Sequence, residues 1–520
     1  MKVRLLFRDE DLGDDDALPA GSADVVEDLG LETVFHAMAA SDPLLREVAA
    51  RVVLRGLATP EQIRYRQQVL ADCLAQRETV RVLYDLAGEA LTAEKGVWGF
   101  LARSPEGRLR WSVDILERLV PHLRRLRGLA DAGVATFGSE GFTTLFGVLR
   151  AELADDYFDE IRRHLATLRL RTGVLVSAEL GAGLKGVDYR VRRGPDQRVS
   201  WWRRLWPPRA DAFTVVIAPR DEAGSRALGE LRARGIDEVA NAVAQAAEHV
   251  LGFFAALRTE LAFYLGCTQL YDRLAGRGIS MCFPTPGLPT PASLSARGLC
   301  DPVLALRSRG QVVGNDLDAD GARLVVITGA NQGGKSTLLR SVAVGQLMMQ
   351  AGMFVAAASF AARVCAGVFT HYKRGEDAAM VSGKFDEELV RMDGVVGRLT
   401  AGDLLVMNES FSSTTETEGA QIAGSLIEAL LDEDVTVMCV THSYELAERL
   451  RGRGDGVLFL RAERRADGER TFRVLPGAAQ PTSHSEDVYR RVFGRPLAGR
   501  AGRAARGGGR AGKGYSAPSR

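Results

Sequence analysis

Cysteine is scarce and scattered in this 520-residue chain: six residues, at 73, 267, 282, 300, 365 and 439, with no CxxC pair and no close Cys/His cluster. That spacing excludes a zinc ribbon or finger and reads as reduced, buried thiols. Lysine is rarer still for its type, supplying only seven of 67 basic residues. Guanidinium groups, suited to bidentate phosphate contacts, therefore carry nearly all the positive charge. Against 66 acidic residues the balance is +1, so no global field draws the chain to a polyanion and any basic surface is local. Long hydrophobic runs are missing too. The apolar stretch around 351–362 is about 12 residues and ends at Arg363, too short to span a bilayer. Residues Met1 to Phe7 run straight into the acidic stretch between Asp9 and Asp16, which no secretory leader carries. A cytoplasmic protein without a membrane partner is expected. From residue 497 onward there is no acid at all, and the Gly, Ala and Arg of 497–520 predict a disordered basic tail.

What is present divides in two, since single cores stop growing near 250–300 residues. After an acidic N-terminal segment at 1–27, residues 28–279 read as helix after helix. Thr59-Pro60-Glu61-Gln62 is a clear start, with an N-cap, a proline at the first helical position and a Gln at the third. A small β insertion is expected at about 173–219, with strand-like content in 173–178, 188–191 and 212–218. Helical pattern resumes in 223–234 and 236–265. Pro284, Pro286, Pro289 and Pro291 then mark a boundary. Across 280–496 strands and helices alternate, as in a largely parallel α/β sheet.

Residues Leu324 to Thr328 form a short buried-strand pattern that leads into Gly329-Ala330-Asn331-Gln332-Gly333-Gly334-Lys335-Ser336-Thr337 and then a helical pattern. This is GxxxxGK[ST] between strand and helix. Its backbone N–H groups and the helix N-terminus suit phosphates, Lys335 the β- and γ-phosphates, and the Ser336 hydroxyl a Mg²⁺ ion, so ATP and Mg²⁺ are the expected ligands. A second strand, Asp403 to Met407, ends in Asn408-Glu409. Glu409 stands where a base orients the attacking water. Asn408 keeps a carbonyl for the Mg²⁺ shell but not the charge an Asp would bring. Asp403 and Asp434 begin their strands, at the far end from the phosphates. A third strand, Val435 to Val440, ends in Thr441-His442, which puts His442 at the γ-phosphate as a sensor.

Between 190 and 209 lie Arg190, Arg192, Arg193, Arg203 and Arg204 among seven arginines, with Trp201 and Trp202 among three tryptophans. Such a loop can lay guanidinium groups on phosphates and stack rings on exposed bases. The alternatives are contact with a protein or membrane surface, or packing at the base of the insertion.

The segments Thr328–Thr337, Asn408-Glu409, Ser412-Ser413-Thr414-Thr415-Glu416-Thr417-Glu418-Gly419, Phe369-Thr370-His371 and Thr441-His442 resemble the ATPase of MutS-type proteins. Asn315-Asp316 resembles that family's nucleotide-edge loop, and Arg64 to Leu70 its core and lever helices. The resemblance implies an all-α core and lever region followed by a C-terminal α/β, ABC-like P-loop ATPase that works as a homodimer. Each ATP would sit between one phosphate loop and the partner copy's signature segment, Ser412, Ser413, Thr414, Thr415 and Gly419. Lever helices would carry the ATP state to a DNA clamp, whose place the β insertion takes. Two departures stand out. Gly383-Lys384 replaces the usual Ser-Thr facing the partner's nucleotide, so Lys384 would bring a positive charge there in trans. The family's mismatch-reading domain, with its Phe-x-Glu wedge, has no counterpart ahead of the helices. Phe158-Asp159-Glu160 and Phe385-Asp386-Glu387 match only the tripeptide. The expectation is a DNA-binding, nucleotide-switched ATPase. An ATP-driven remodeller of a protein partner and a slow, nucleotide-gated scaffold are the alternatives.

Overall fold

The computed structural model describes residues 1–13, 18–95, 104–170, 175–184, 186–192, 218, 220–288, 293–374, 383–465 and 469–481. Helices come first: α1 (Ser22–Leu29), α2 (Glu32–Ala39), α3 (Pro43–Arg55), α4 (Pro60–Ala75) and α5 (Arg77–Lys95). Next come α6 (Pro105–Gly133), α7 (Glu140–Glu152) and α8 (Asp155–Leu168). An antiparallel hairpin, β1 (Leu175–Leu180) and β2 (Gly186–Arg192), precedes α9 (Glu222–Ala275). Capping side chains set the starts. Asp42, Thr59, Ser104 and Ser139 accept a first-turn backbone N–H in α3, α4, α6 and α7.

The 54 residues of α9 make a rod about 80 Å long. The sequence pattern suggested two helices parting at Gly235, but the helix runs through it. Gly235 serves packing instead: a β-carbon there would lie 2.9 Å from the Val176 side chain of β1. The lower half of α9 is the most apolar helical stretch of the chain, long enough by composition to cross a membrane. Of that stretch 72% is buried, so here it is a core helix. Within the β insertion, the strand expected over 212–218 falls, but for Ala218, outside the described residues.

The acidic N-terminal segment is not separate from the helical region, and the expected boundary at 27/28 falls inside α1. Residues 1–13 form a strap stitched into the helical core. Buried Glu260 of α9 accepts the N–H groups of Leu5 (2.6 Å), Leu6 (3.0 Å) and Leu12 (3.1 Å). Arg66 of α4, with no exposed surface, donates to Leu6 O and to Ala351 O. Asp24, Glu27 and Asp28 of α1 surround Arg374, at 2.8, 3.2 and 3.1 Å.

Beyond α9 come β3 (Thr285–Gly287), β4 (Leu294–Leu299), α10 (Pro302–Arg307) and β5 (Asn315–Asp318). Next are β6 (Leu324–Gly329), α11 (Lys335–Gln350), β7 (Ser359–Arg363), β8 (Val368–Tyr372) and α12 (Lys384–Val396). The chain ends its described course with β9 (Leu404–Asn408), α13 (Glu416–Asp432), β10 (Thr436–Val440), α14 (Tyr444–Arg451), β11 (Val457–Arg464) and β12 (Arg470–Pro476). One sheet has the order β12-β11-β6-β10-β9-β8, parallel throughout except for the edge strand β12. Its strands β6, β9 and β10 are buried except for one terminal residue each, as a sheet covered on both faces requires. A second, mixed sheet, β3-β7-β4-β5, corrects the picture of a single sheet. Its strands are only three to six residues long, too short to stand out as alternation.

Candidate functional site

Three neighbouring parallel strands deliver the site. Ile327 of β6 pairs with Val440 of β10, and Val440 with Asn408 of β9. The segments that leave these strands, Gly329–Thr337, Thr441-His442 and Glu409, therefore emerge together at one sheet edge. Ligands of open α/β sheets bind at this carboxyl edge.

The glycine loop takes left-handed backbone at Gly329 (φ 108°), Gln332 (φ 58°) and Gly334 (φ 94°), turning β6 into α11. Ala330, Asn331 and Gly333 complete the turn, and Lys335, Ser336 and Thr337 form the first turn of α11. The Lys335 ammonium folds back over the loop and donates to Gly329 O (2.7 Å), Ala330 O (3.3 Å) and Asn331 Oδ1 (3.3 Å). Burial lowers its pKa, and the nearby Glu409 carboxylate opposes that shift. The Ser336 hydroxyl donates to Asn408 Oδ1 at 2.9 Å, so the loop and the second strand meet at these two oxygens. Glu409 comes next in left-handed backbone (φ 54°), its N–H donating to Val440 O at 2.9 Å. His442 is exposed beyond β10. A cleft of about 100 Å³ lies among Glu409, Ser412, Thr414, Gly419, Thr441 and His442. Asp403 and Asp434 sit at the other end of the sheet. Asp403 accepts from Thr400, and Asp434 pairs with Arg323 at 3.1 Å.

Other expected residues lie further out. Asn315 is in the small sheet and spends its carboxamide on β12, donating to Phe472 O and accepting from Val474 N. These bonds hold β12 against the strand that leads toward the loop. The signature residues lead into α13. Thr415 caps that helix, the Thr414 hydroxyl donates to Glu418 at 2.6 Å, and Ser413 donates to Glu388 at 3.0 Å. The Ser412 hydroxyl has no partner among the described residues. Gly419 has no substitute: a β-carbon would lie 2.4 Å from Phe411 O. Lys384 opens α12, half-buried. Of the nucleic-acid candidates, Arg190 pairs with Asp188 (2.8 Å) and Arg192 donates to Ser177 (2.8 Å). Arg193, Trp201, Trp202, Arg203 and Arg204 lie outside the described residues.

Two features escaped the sequence. His371 of β8 and Glu388 of α12 underpin the signature loop through long-range contacts that no spacing announces. Phe472 of β12, half exposed and in left-handed backbone (φ 59°), brings its carbonyl oxygen against Gly334. An isolated aromatic in an edge strand carries no signal of that.

Fold and site together define a class: a helix-rich, multidomain chain whose α/β part presents a glycine loop at the carboxyl edge of its sheet. Residues 58–277 match the MutS2 N-terminal domain, and residues 325–461 match MutS domain V. The chain belongs to the MutS-related family. Among its relatives, the DNA mismatch repair protein MutS of Desulforamulus reducens is 35% identical over 181 residues, covering 32% of this chain and 21% of that protein. That of Acetivibrio thermocellus is 31% identical over 186 residues, with the same coverage. The DNA mismatch repair protein MutS 2 of Halobacterium salinarum is 31% identical over 191 residues, covering 36% of this chain and 22% of that protein. The chain thus spans about a fifth of the length of the curated relatives it matches.

Proposed function

We propose that the chain is an ATP-hydrolysing, nucleotide-switched DNA-binding protein that acts as a homodimer. The observation that carries this reading is the Ser336–Asn408 hydrogen bond beside Lys335 and Glu409, which gathers four phosphate-transfer groups at one sheet edge. On ATP binding, Lys335 releases its three loop oxygens and turns its ammonium to the β- and γ-phosphates. Loop N–H groups and the α11 N-terminus donate to the phosphate oxygens. Ser336 and Asn408 are oxygen donors of the kind Mg²⁺ takes, and when bound the ion neutralises phosphate charge. Glu409 orients the attacking water and takes its proton; His442 reads the presence of the γ-phosphate. Ser412–Gly419 and Lys384 of a second copy complete each site.

Both Phe-x-Glu tripeptides lie in helices, α8 and α12, and the Phe158 ring is buried. Phe385 is half-buried against an apolar core, so neither tripeptide supports a wedge into a base stack. The DNA contact is assigned to the β insertion, with Arg190 and Arg192 on its described hairpin and the Trp/Arg segment beyond. The test is binding of a fluorescent ATP analogue and ATP turnover by the wild type and Lys335→Ala, with DNA binding across a salt series with and without ATP. Saturable ATP binding lost in the variant, and DNA binding that weakens steeply with salt, are expected. DNA binding absent at every salt concentration overturns the DNA half; ATP binding unchanged in Lys335→Ala overturns the nucleotide half.

A further inference from the structure

We propose that His371 and Ser410 form a positioning pair that holds Glu409, in one copy's nucleotide site, in fixed relation to the Ser412–Gly419 segment offered to the other copy's site. The inference rests on the ATPase reading above. β8 is an edge strand of the six-stranded sheet and pairs in parallel with β9, so His371 stands beside Met407, one residue before Asn408. Its ring is 1% exposed and stacks on Phe411, with centroids 5.7 Å apart. Nδ1 lies 2.7 Å from Ser410 Oγ, and Nε2 lies 3.1 Å from the Glu388 carbonyl oxygen. The Glu388 carboxylate in turn accepts the Ser413 hydroxyl at 3.0 Å. One imidazole thus touches the residue after Glu409 and, through Glu388, the signature segment.

The loop needs such a hold. Glu409 and Phe411 flank Ser410 with φ of 54° and 60°, left-handed backbone that non-glycine residues keep only where their surroundings impose it. The Ser410 hydrogen bond and the Phe411 ring contact impose it here.

A neutral imidazole has one N–H and one lone pair. Burial, followed by the charge of Arg391, holds His371 near a pKa of about 4, so the neutral form prevails near neutral pH. Two proton placements satisfy the neighbours. With the proton on Nε2, the ring donates to Glu388 O and accepts from the Ser410 hydroxyl. With the proton on Nδ1, the ring donates to Ser410, whose hydroxyl donates to His371 O at 2.9 Å, and Nε2 accepts from Arg391 at 3.5 Å. The first uses the shorter contact at Nε2 and is the resting arrangement. Stability alone does not explain the cluster. Buried Glu388 keeps one carboxylate oxygen, Oε2, without a partner among the described residues, which is costly.

The test separates the two ring nitrogens in the full chain. His371→Asn keeps a polar group near Nδ1, His371→Gln keeps one near Nε2, and Ser410→Ala removes the hydroxyl. ATP turnover, affinity for a fluorescent ATP analogue and unfolding midpoint are measured for each. Expected are a fall in kcat of tenfold or more in His371→Gln and Ser410→Ala, nucleotide affinity within about twofold of wild type, and a smaller fall in His371→Asn, which keeps the Ser410 contact and gives up the one to Glu388. Wild-type kcat in His371→Gln and Ser410→Ala overturns the pair, as does an equal loss in His371→Asn and His371→Gln. So does a loss of nucleotide affinity that matches the loss of rate. If the His371 variants do not fold, Ser410→Ala, a single-atom deletion at a half-buried site, decides alone. A wild type that binds ATP without turning it over, or binds none, overturns the ATPase reading first and this inference with it.

Discussion

At the residue scale, Asn408 gives the Ser336 hydroxyl a neutral acceptor 2.9 Å away, where an aspartate would place a full negative charge. Mg²⁺ affinity depends on the charge of its oxygen ligands. Asn408→Asp is therefore expected to tighten Mg²⁺-dependent nucleotide binding roughly tenfold, about 1.4 kcal/mol, and to raise turnover. Titrating ATP binding against Mg²⁺ in both proteins checks this; reduced turnover in the variant would mean that the carboxamide is part of a rebuilt site. Gly419 makes a stability prediction of its own. Its missing β-carbon would lie 2.4 Å from Phe411 O, a backbone atom that cannot swing away. Gly419→Ala is expected to cost about 1–3 kcal/mol in denaturant unfolding and to displace the signature loop. The groups legible in sequence were those fixed by local order. Gly329–Thr337 must turn a strand into a helix, and Asn408 and Glu409 must end one. His371 was quoted only as part of a resemblance. Its role depends on Glu388 and Ser410, 17 and 39 residues away in the chain, and no periodicity connects them.

At the element scale, the strap at 1–13 depends on one side chain of α9. The Glu260 carboxyl is withdrawn from water, and burial raises its pKa to about 7 despite three N–H donors that favour the charge. In the unfolded chain it titrates near its ordinary value of 4.5. The folded state holds the proton more tightly, so this contribution is complete below pH 4.5 and is lost as pH rises through 7. The difference amounts to about 3 kcal/mol. His371 acts with the opposite sign: its folded value of about 4 lies below the ordinary 6.5, so its contribution is lost as pH falls through 4. Denaturation midpoints measured from pH 5 to 8 should fall at the upper end in the wild type and lose that limb in Glu260→Gln. An unchanged slope in the variant would assign the pH dependence to another group. The strap shows why the acidic segment looked detachable in sequence. Its hydrogen bonds are made by the backbone, so Leu5, Leu6 and Leu12 give no sign of their shared acceptor. The long α9 was divided for a related reason, since Gly235 resembles a breaker until Val176 is seen against it.

At the scale of the whole molecule, one helix runs from the glycine loop to the helical region. α11 begins at Lys335 in the loop and ends about 24 Å away, where Ala351 O accepts the Arg66 guanidinium. Arg66 also donates to Leu6 O of the strap, and the strap is bound by Glu260 in the C-terminal third of α9. A displacement of the loop would have a continuous run of helix, buried cation, strap and buried acid along which to reach α9. Arg66 is the narrowest point of that run, because its planar group bonds the strap and the end of α11 at once. Arg66→Lys keeps the charge but not the fork that reaches both carbonyls. Amide hydrogen exchange across 253–270 of α9 is expected to change on ATP addition in the wild type. In Arg66→Lys it should stay near its nucleotide-free pattern while ATP affinity holds within about threefold. If α9 responds equally in both proteins, the two regions are coupled through contacts other than Arg66, and the strap serves stability alone. If α9 is silent in the variant while ATP is still bound, the strap is part of the transmission, and removing residues 1–13 should uncouple α9 in the same way.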